Sequence, residues 1–235
     1  MPITRIFVDP VLEPGGVLEL PAGEADHVLK VLRGGKGDSV EVVDGAGKLF
    51  AARLRGGREA AVTEELASPD GVDVEISLYQ AVPKGGRMDV VVEKATEVGA
   101  TRIVPLLAER GVVNPREGKV GRWRRVAEAA ARQSLRLRVP EVAEPVRFAD
   151  AVSEVGETGV LLHNSPDLQP VEAVVGAPVS LFVGPEGGWS GDELRLAKDA
   201  GIVFGGLGPY RLRSETAGIV AVTRTLAALE SRVER

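Results

Sequence analysis

The chain has no cysteine and only two histidines, and these absences remove much chemistry before any motif is considered. Thiol nucleophiles, cysteine-based zinc sites and disulfides are excluded, a His-rich metal site cannot be assembled, and no metal is expected. His27 and His163 stand 136 residues apart, so a Ser–His–Asp arrangement would have to use one of them in isolation. Asparagine, glutamine and methionine are scarce, at two, three and two residues, whereas 22 of the 29 basic residues are arginine. That balance fits a thermophilic source or a GC-biased genome. The longest weakly polar run, Val174 to Val183, is about half a membrane span and contains Pro178. Asp9 falls where a secretory signal would need a continuous apolar core. The expectation is a cytoplasmic protein with no membrane association.

What is present is an ordinary globular balance, 44% hydrophobic and 27% charged over 235 residues, enough for one large domain or two smaller ones. Residues 1–70 alternate short β-like runs (RIFV, VLEL, SVEVVDGAGKLFAARL) with turn signals, Asp44-Gly45-Ala46-Gly47 being a hairpin signature. A short helix is expected over Glu24–Leu32, and the segment reads as a small β-barrel. Ser68-Pro69-Asp70-Gly71 is the expected boundary, rich in turn formers. Beyond it, over 71–235, apolar runs (VEISLYQAV, RIVPLL, GVLLH, VSLFV, IVFGGL) alternate with helical stretches at Met88–Val98, Arg122–Leu137, Phe148–Val155, Asp192–Ala200 and Glu215–Ser231. Continuous apolar strands between helices imply a buried, mainly parallel sheet. Gly99 and Gly201 stand where helix C-terminal caps belong, and Ser190 with Glu193 has the spacing of a capping box.

Two glycine-rich turns dominate the C-terminal half: VSLFVGPEGGWSGDEL (Val179–Leu194) and IVFGGLGPYRLRSETAGI (Ile202–Ile219). Each leaves a strand and enters a helix, which exposes backbone N–H groups at the carboxyl ends of a parallel sheet, where α/β proteins bind ligands. Gly184 and Gly208 are only 24 residues apart, so one shared pocket is expected. The loop Gly184–Gly188 could be a tight turn, but three glycines in five residues exceed what one turn needs and favour close approach of a ligand to backbone. It matches neither a dinucleotide fingerprint nor a P-loop, and Glu186 would repel a triphosphate. A nucleoside lacking phosphates, or one with a positive centre, fits better. Ser214 can be read as a cap of the last helix, with Glu215 complementing its dipole. Arg213, just before that helix and beside the pocket, is a stronger candidate for a functional role. Trp123 and Trp189 read as packing residues, with Trp189 also placed to rim the pocket.

Charge is distributed unevenly. The net charge is −5, yet Arg122 to Arg138 contains six arginines and one acid, Glu128. The amphipathic helix there could be a solvated face, or a surface that tracks phosphates.

Together, GPEGGWS, LGPYRLRSETA, EKATEVGATRIVPLLAERGVV (Glu93–Val113), RWRRVAEAAARQSLRLRVPEV (Arg122–Val142) and HVLKVLR (His27–Arg33) resemble the RsmE-type methyltransferases of bacterial small-subunit rRNA, of the SPOUT superfamily. The resemblance covers essentially the whole chain. It implies a PUA-like β-barrel over 1–70, an α/β domain with a C-terminal trefoil knot over 71–235, S-adenosylmethionine as methyl donor, and a homodimer through the C-terminal domain. The implied reaction is methylation of a uridine N3 in 16S rRNA of the 30S subunit, near the decoding centre. Leu135 stands where the family commonly has glycine, so Arg136 and Arg138 both qualify for the substrate role. Arg213 and Arg138 are the catalytic candidates, as stabilisers of charge on the uracil.

For the cofactor the candidates are Leu161, Leu162, His163 and Asn164; Gly184, Pro185, Glu186, Gly187 and Gly188; and Leu207, Gly208, Leu212, Arg213, Glu215 and Thr216. For RNA they are Arg5, Arg33, Arg122, Arg124, Arg125, Arg132, Gln133 and Arg136. Lack of cysteine excludes the covalent route to C5-methylated pyrimidines and leaves direct transfer to nitrogen or oxygen. No residue stands out as a general base. Alternatives within reach of the sequence are a ribose 2′-O-methyltransferase of the same fold and a non-enzymatic ribosome-associated RNA-binding protein. An α/β hydrolase is disfavoured because no G-x-S-x-G elbow is present.

Overall fold

Short alternating runs near the N-terminus pair into strands because only one face of each can be buried. The computed structural model describes residues 5–31, 34–67, 74–115 and 118–233. The chain divides into two compact units: Met1–Gly71 with Arg132–Arg138, and Val72–Ala131 with Val139–Arg235. The expected boundary at Ser68–Gly71 lies outside the described residues, as does Arg33.

In the first unit, strands β1 (Arg5–Phe7), β2 (Val17–Glu19), β3 (Ser39–Val43), β4 (Leu49–Gly56) and β5 (Glu59–Glu65) form a sheet in the order β1-β3-β4-β5-β2. β1 runs parallel to β3, and the other pairs are antiparallel. The Asp44 turn joins β3 to β4, its Oδ1 accepting from the backbone N–H groups of Ala46 and Lys48. Ile6, Leu20, Val42, Phe50 and Leu54 meet in one core. Helix α1 (Ala22–Asp26) continues as a π-helical stretch over His27–Val31, close to the helix expected there.

The second unit holds β6 (Ile76–Ala81), α2 (Met88–Glu97), β7 (Arg102–Leu107), α3 (Lys119–Gln133), β8 (Glu141–Val142), β9 (Val146–Arg147), α4 (Phe148–Val155), β10 (Gly159–Leu162), α5 (Val171–Val174), β11 (Val179–Val183), α6 (Gly191–Asp199), β12 (Val203–Gly205) and α7 (Ser214–Val233), α3 ending within the first unit's segment. Its sheet is parallel throughout, in the order β12-β10-β11-β6-β7, with β8 and β9 both pairing with β7. Helices cover both faces. One face packs Leu78, Ile103, Leu181 and Val222; the other packs Tyr79, Phe148, Leu161, Phe182 and Trp189. On that second face Tyr79 stacks on Phe182 at 4.7 Å between centroids, and Phe148 meets both Phe182 and Trp189. Burial on both faces explains why these strands read as continuous apolar runs.

Ser190 caps α6 as the spacing predicts: its side chain accepts from the Glu193 N–H, and the Glu193 carboxylate accepts from the Ser190 N–H. The arginine-rich helix starts and stops earlier than expected, at Lys119 and Gln133 instead of Arg122 and Leu137. It ends because Leu135 takes a left-handed backbone with φ of 58°, which an α-helix cannot continue. Leu137 then buries its side chain against Val43 and Leu49 of the first unit. Among the described residues, no helix is long and apolar enough to cross a membrane, and no group of three or more His, Cys, Asp or Glu could hold a metal.

Candidate functional site

The carboxyl ends of β10, β11 and β12 open into a cavity of about 640 Å³. Three loops form it: Leu162–Asn164 after β10, Val183–Trp189 after β11, and the loop after β12 with Leu207, Gly208 and Tyr210–Ser214; Arg110 and Ala217 complete the wall. All of it belongs to the second unit.

Most of the candidate cofactor residues come together here: Leu162, His163, Asn164, the whole of Gly184–Gly188, Leu207, Gly208, Leu212 and Arg213. Three do not line the cavity. Leu161 alternates to the opposite face of the sheet and is fully buried with Phe182 and Trp189. Glu215 turns to Arg87, with 3.5 Å between Oε1 and Nε, and Thr216 is exposed on α7. Arg138 belongs to the first unit, where a Cβ added to Gly47 would come within 2.9 Å of its side chain.

Hydrogen bonds fix the loops to one another. Ser214 Oγ donates to the Gly184 carbonyl at 2.7 Å and accepts from Gln80 Nε2 at 2.8 Å. Ser214 therefore does more than begin a helix: it ties the start of α7 directly to the first glycine loop and, separately, to strand β6. Gln80 is fully buried, and a Cβ on Gly218 would stand 2.2 Å from its Oε1, so only glycine lets α7 approach β6 this closely. Trp189 Nε1 donates to the Leu162 carbonyl at 3.0 Å, joining the first two loops. The Glu186 carboxylate accepts from the Lys84 N–H at 3.2 Å and pairs with Arg87, which also reaches Glu215. Arg110 Nη1 donates to the Gly187 carbonyl at 3.2 Å.

Sequence reading missed Gln80, Arg87 and Arg110, and did not single out Tyr210 or Arg211 within the second glycine-rich turn. The one available signal was Gln80, a lone amide in the apolar run VEISLYQAV, which burial obliges to find partners.

The arginine candidates are held in different ways. In the second unit Arg122 pairs with Asp89 at 2.6 Å, Arg124 pairs with Glu144 at 3.0 Å, and Arg125 is exposed. In the first unit Arg5 is buried, pairs with Glu41 at 2.8 Å and donates to the Leu135 carbonyl. Arg132 pairs with Glu24 and lies over the Phe7 ring, Gln133 is exposed and Arg136 is half-buried.

A family model described as an RNA methyltransferase domain matches residues 71–226. The ribosomal RNA small subunit methyltransferase E of Synechocystis is 35% identical over 97% of this chain and 78% of its own length. A methyltransferase of Legionella pneumophila, solved with bound SAM, superposes with a TM-score of 0.81 at 31% identity, covering 97% of this chain and 98% of that one. The ribosomal RNA small subunit methyltransferase E of Neisseria gonorrhoeae, solved with S-adenosyl methionine, gives 0.87 at 28% identity, with the same two coverages of 97% and 98%. The chain belongs to the RNA methyltransferase family, among the ribosomal RNA small subunit methyltransferase E proteins.

Proposed function

We propose that this protein methylates N3 of a uridine in 16S rRNA of the small ribosomal subunit, near the decoding centre, with S-adenosylmethionine as donor. The observation that carries the reading is the cavity built from three loops at the carboxyl ends of a parallel sheet, in a chain whose relatives are solved with that cofactor.

The residues present fit the group. About 640 Å³ is within the range of small-molecule sites. Leu162, Leu207 and Leu212 offer apolar faces for an uncharged purine, and loop backbone can read its edge. Bound there, S-adenosylmethionine supplies a methyl group on a positively charged sulfur, open to direct displacement. The chain's own contribution is to hold the uracil and favour its imide anion. Arg213 lines the cavity and, among the described residues, makes no ion pair, so its charge is available to uracil O2 or O4 as the N3 proton is lost to solvent water. Placing N3 beside the methyl group provides much of the remaining acceleration. The reading is tested with labelled S-adenosylmethionine and 30S subunits lacking the modification: label should enter 16S rRNA, and no incorporation into it would refute the reading.

The first unit is a PUA-like barrel that binds RNA, supported by its five strands around one core. The second is a SPOUT domain whose C-terminal segment forms the trefoil knot, supported by the all-parallel sheet with its loops gathered at one end. The protein works in the cytoplasm, where its substrate is.

On the second unit, the phosphate-tracking surface is the arginine face of α3. Arg122 and Arg124 pair with acids while remaining substantially exposed, and such pairs contribute little, so they exchange readily for phosphates. Arg5, buried and paired, does not belong to this surface. Arg124→Ala with Arg125→Ala should weaken 30S binding and flatten its log–log salt slope by up to about two. Unchanged binding at every salt concentration would make this a merely solvated face.

Dimerisation uses α7. Val222 and Leu229 are spent in the core and Leu226 packs against it, which leaves Ile219 and Val220 half-buried. Light scattering should report about twice the 24.7 kDa chain mass. Ile219→Asp should halve that value, and a wild-type monomer would refute the assignment.

A further inference from the structure

Nine aromatic side chains are present, and eight of them are buried or half-buried. The ninth, Tyr210, is 82% exposed and lines the cavity. The other large apolar side chains left exposed, such as Val11, Val112 and Leu196, are aliphatic and none lines the cavity. Leaving a phenol ring in water forgoes the stabilisation that burial gives the other eight. Its position is also constrained. One residue on, Arg211 Nη2 donates to the Glu186 carbonyl at 3.4 Å, and further on Ser214 Oγ donates to the Gly184 carbonyl at 2.7 Å. The loop carrying Tyr210 is thus tied at two points to the opposite glycine loop, and the ring stands exposed at the mouth. Around it stand Arg110, Arg211 and Arg213, cations suited to a polyanionic strand.

We propose that Tyr210 is the stacking platform for the target uracil, holding the base flat at the mouth while Arg213 addresses its carbonyl edge. Single-stranded and extruded bases are commonly held in this way, because every base offers a π-face whatever its sequence. The partner is the RNA base and not the adenine of the cofactor, because the apolar faces suited to the adenine are Leu162, Leu207 and Leu212, which are buried or half-buried, whereas the phenol ring is mostly in solvent. The assignment rests on the methyltransferase reading above and names how that site holds its substrate.

The test compares wild type, Tyr210→Ala and Tyr210→Phe in three measurements: methyl transfer to 30S subunits, filter binding of those subunits, and calorimetric titration with S-adenosylmethionine. Tyr210→Ala should lower kcat/KM for 30S subunits by about 5- to 150-fold, the loss expected from one base stack. Subunit affinity should fall in parallel, and cofactor affinity should stay within twofold. Tyr210→Phe should retain wild-type behaviour, because the ring and not the hydroxyl makes the stack. Unchanged kcat/KM in the alanine variant, equal loss in the phenylalanine variant, or a matching loss of cofactor affinity would each overturn the assignment. A wild-type protein that binds subunits but transfers no methyl group would defeat the proposed function alone, and the binding comparison would still decide Tyr210. A wild-type protein that does neither overturns both.

Discussion

Gly187→Val is expected to weaken S-adenosylmethionine binding by about ten- to a hundredfold, the cost of overpacking a close-fitting site. Gly187 sits at the cavity wall, where a Cβ would already stand 3.2 Å from Arg110 Cβ and 3.6 Å from the Arg110 carbonyl. Valine adds two methyl groups to that carbon. It must push Arg110 aside or move the loop that forms the wall. The backbone itself tolerates the change, because Gly187 is exposed and its φ is not left-handed, unlike that of Gly188 at +68°. The thermal midpoint should therefore hold within a few degrees while calorimetry registers the loss of ligand. Wild-type affinity in this variant would remove the glycine loop from the cofactor site.

Arg213→Ala is expected to act on a different quantity. Arg213 is exposed at the cavity, and its proposed partner is negative charge that develops only as the N3 proton leaves. Interactions of that kind contribute to kcat and little to ground-state binding. Turnover should fall about 10²- to 10³-fold, the usual effect of deleting one donor to a developing anion. Affinities for cofactor and for 30S subunits should stay within a few-fold. An equal loss of cofactor affinity would make Arg213 a binding residue, and an unchanged kcat would leave the anion without this partner.

The parts of the fold and of the site legible in the sequence are those governed by local rules. The glycine loops stand where apolar strands end, the Ser190–Glu193 box is a spacing of three, and the Asp44 turn is held by its own carboxylate. The rest depends on contacts between distant segments. Gln80 reaches Ser214 across 134 positions, Lys84 reaches Glu186 across 102, and Arg110 reaches Gly187 across 77. Nothing local distinguishes Arg110 from any other surface arginine. The same reasoning explains the displaced arginines. Arg5 looks like a basic tip near the N-terminus, yet parallel pairing of β1 with β3 puts it opposite Glu41, which claims its charge. Leu161 and Leu162 look equivalent in GVLLH, and strand alternation packs Leu161 with Phe182 on one face and leaves Leu162, buried on the other, at the cavity. Period-two alternation tells which residues share a face but not which face a ligand uses.

The measurement that tests the central claim most directly is mass spectrometry of nucleosides from 16S rRNA, after 30S subunits lacking the modification are incubated with the protein and S-adenosylmethionine. The account predicts one new nucleoside, N3-methyluridine, at about one per subunit, forming about 10²- to 10³-fold more slowly with Arg213→Ala. A methyl group on ribose O2′, or on a carbon of the base, would contradict it.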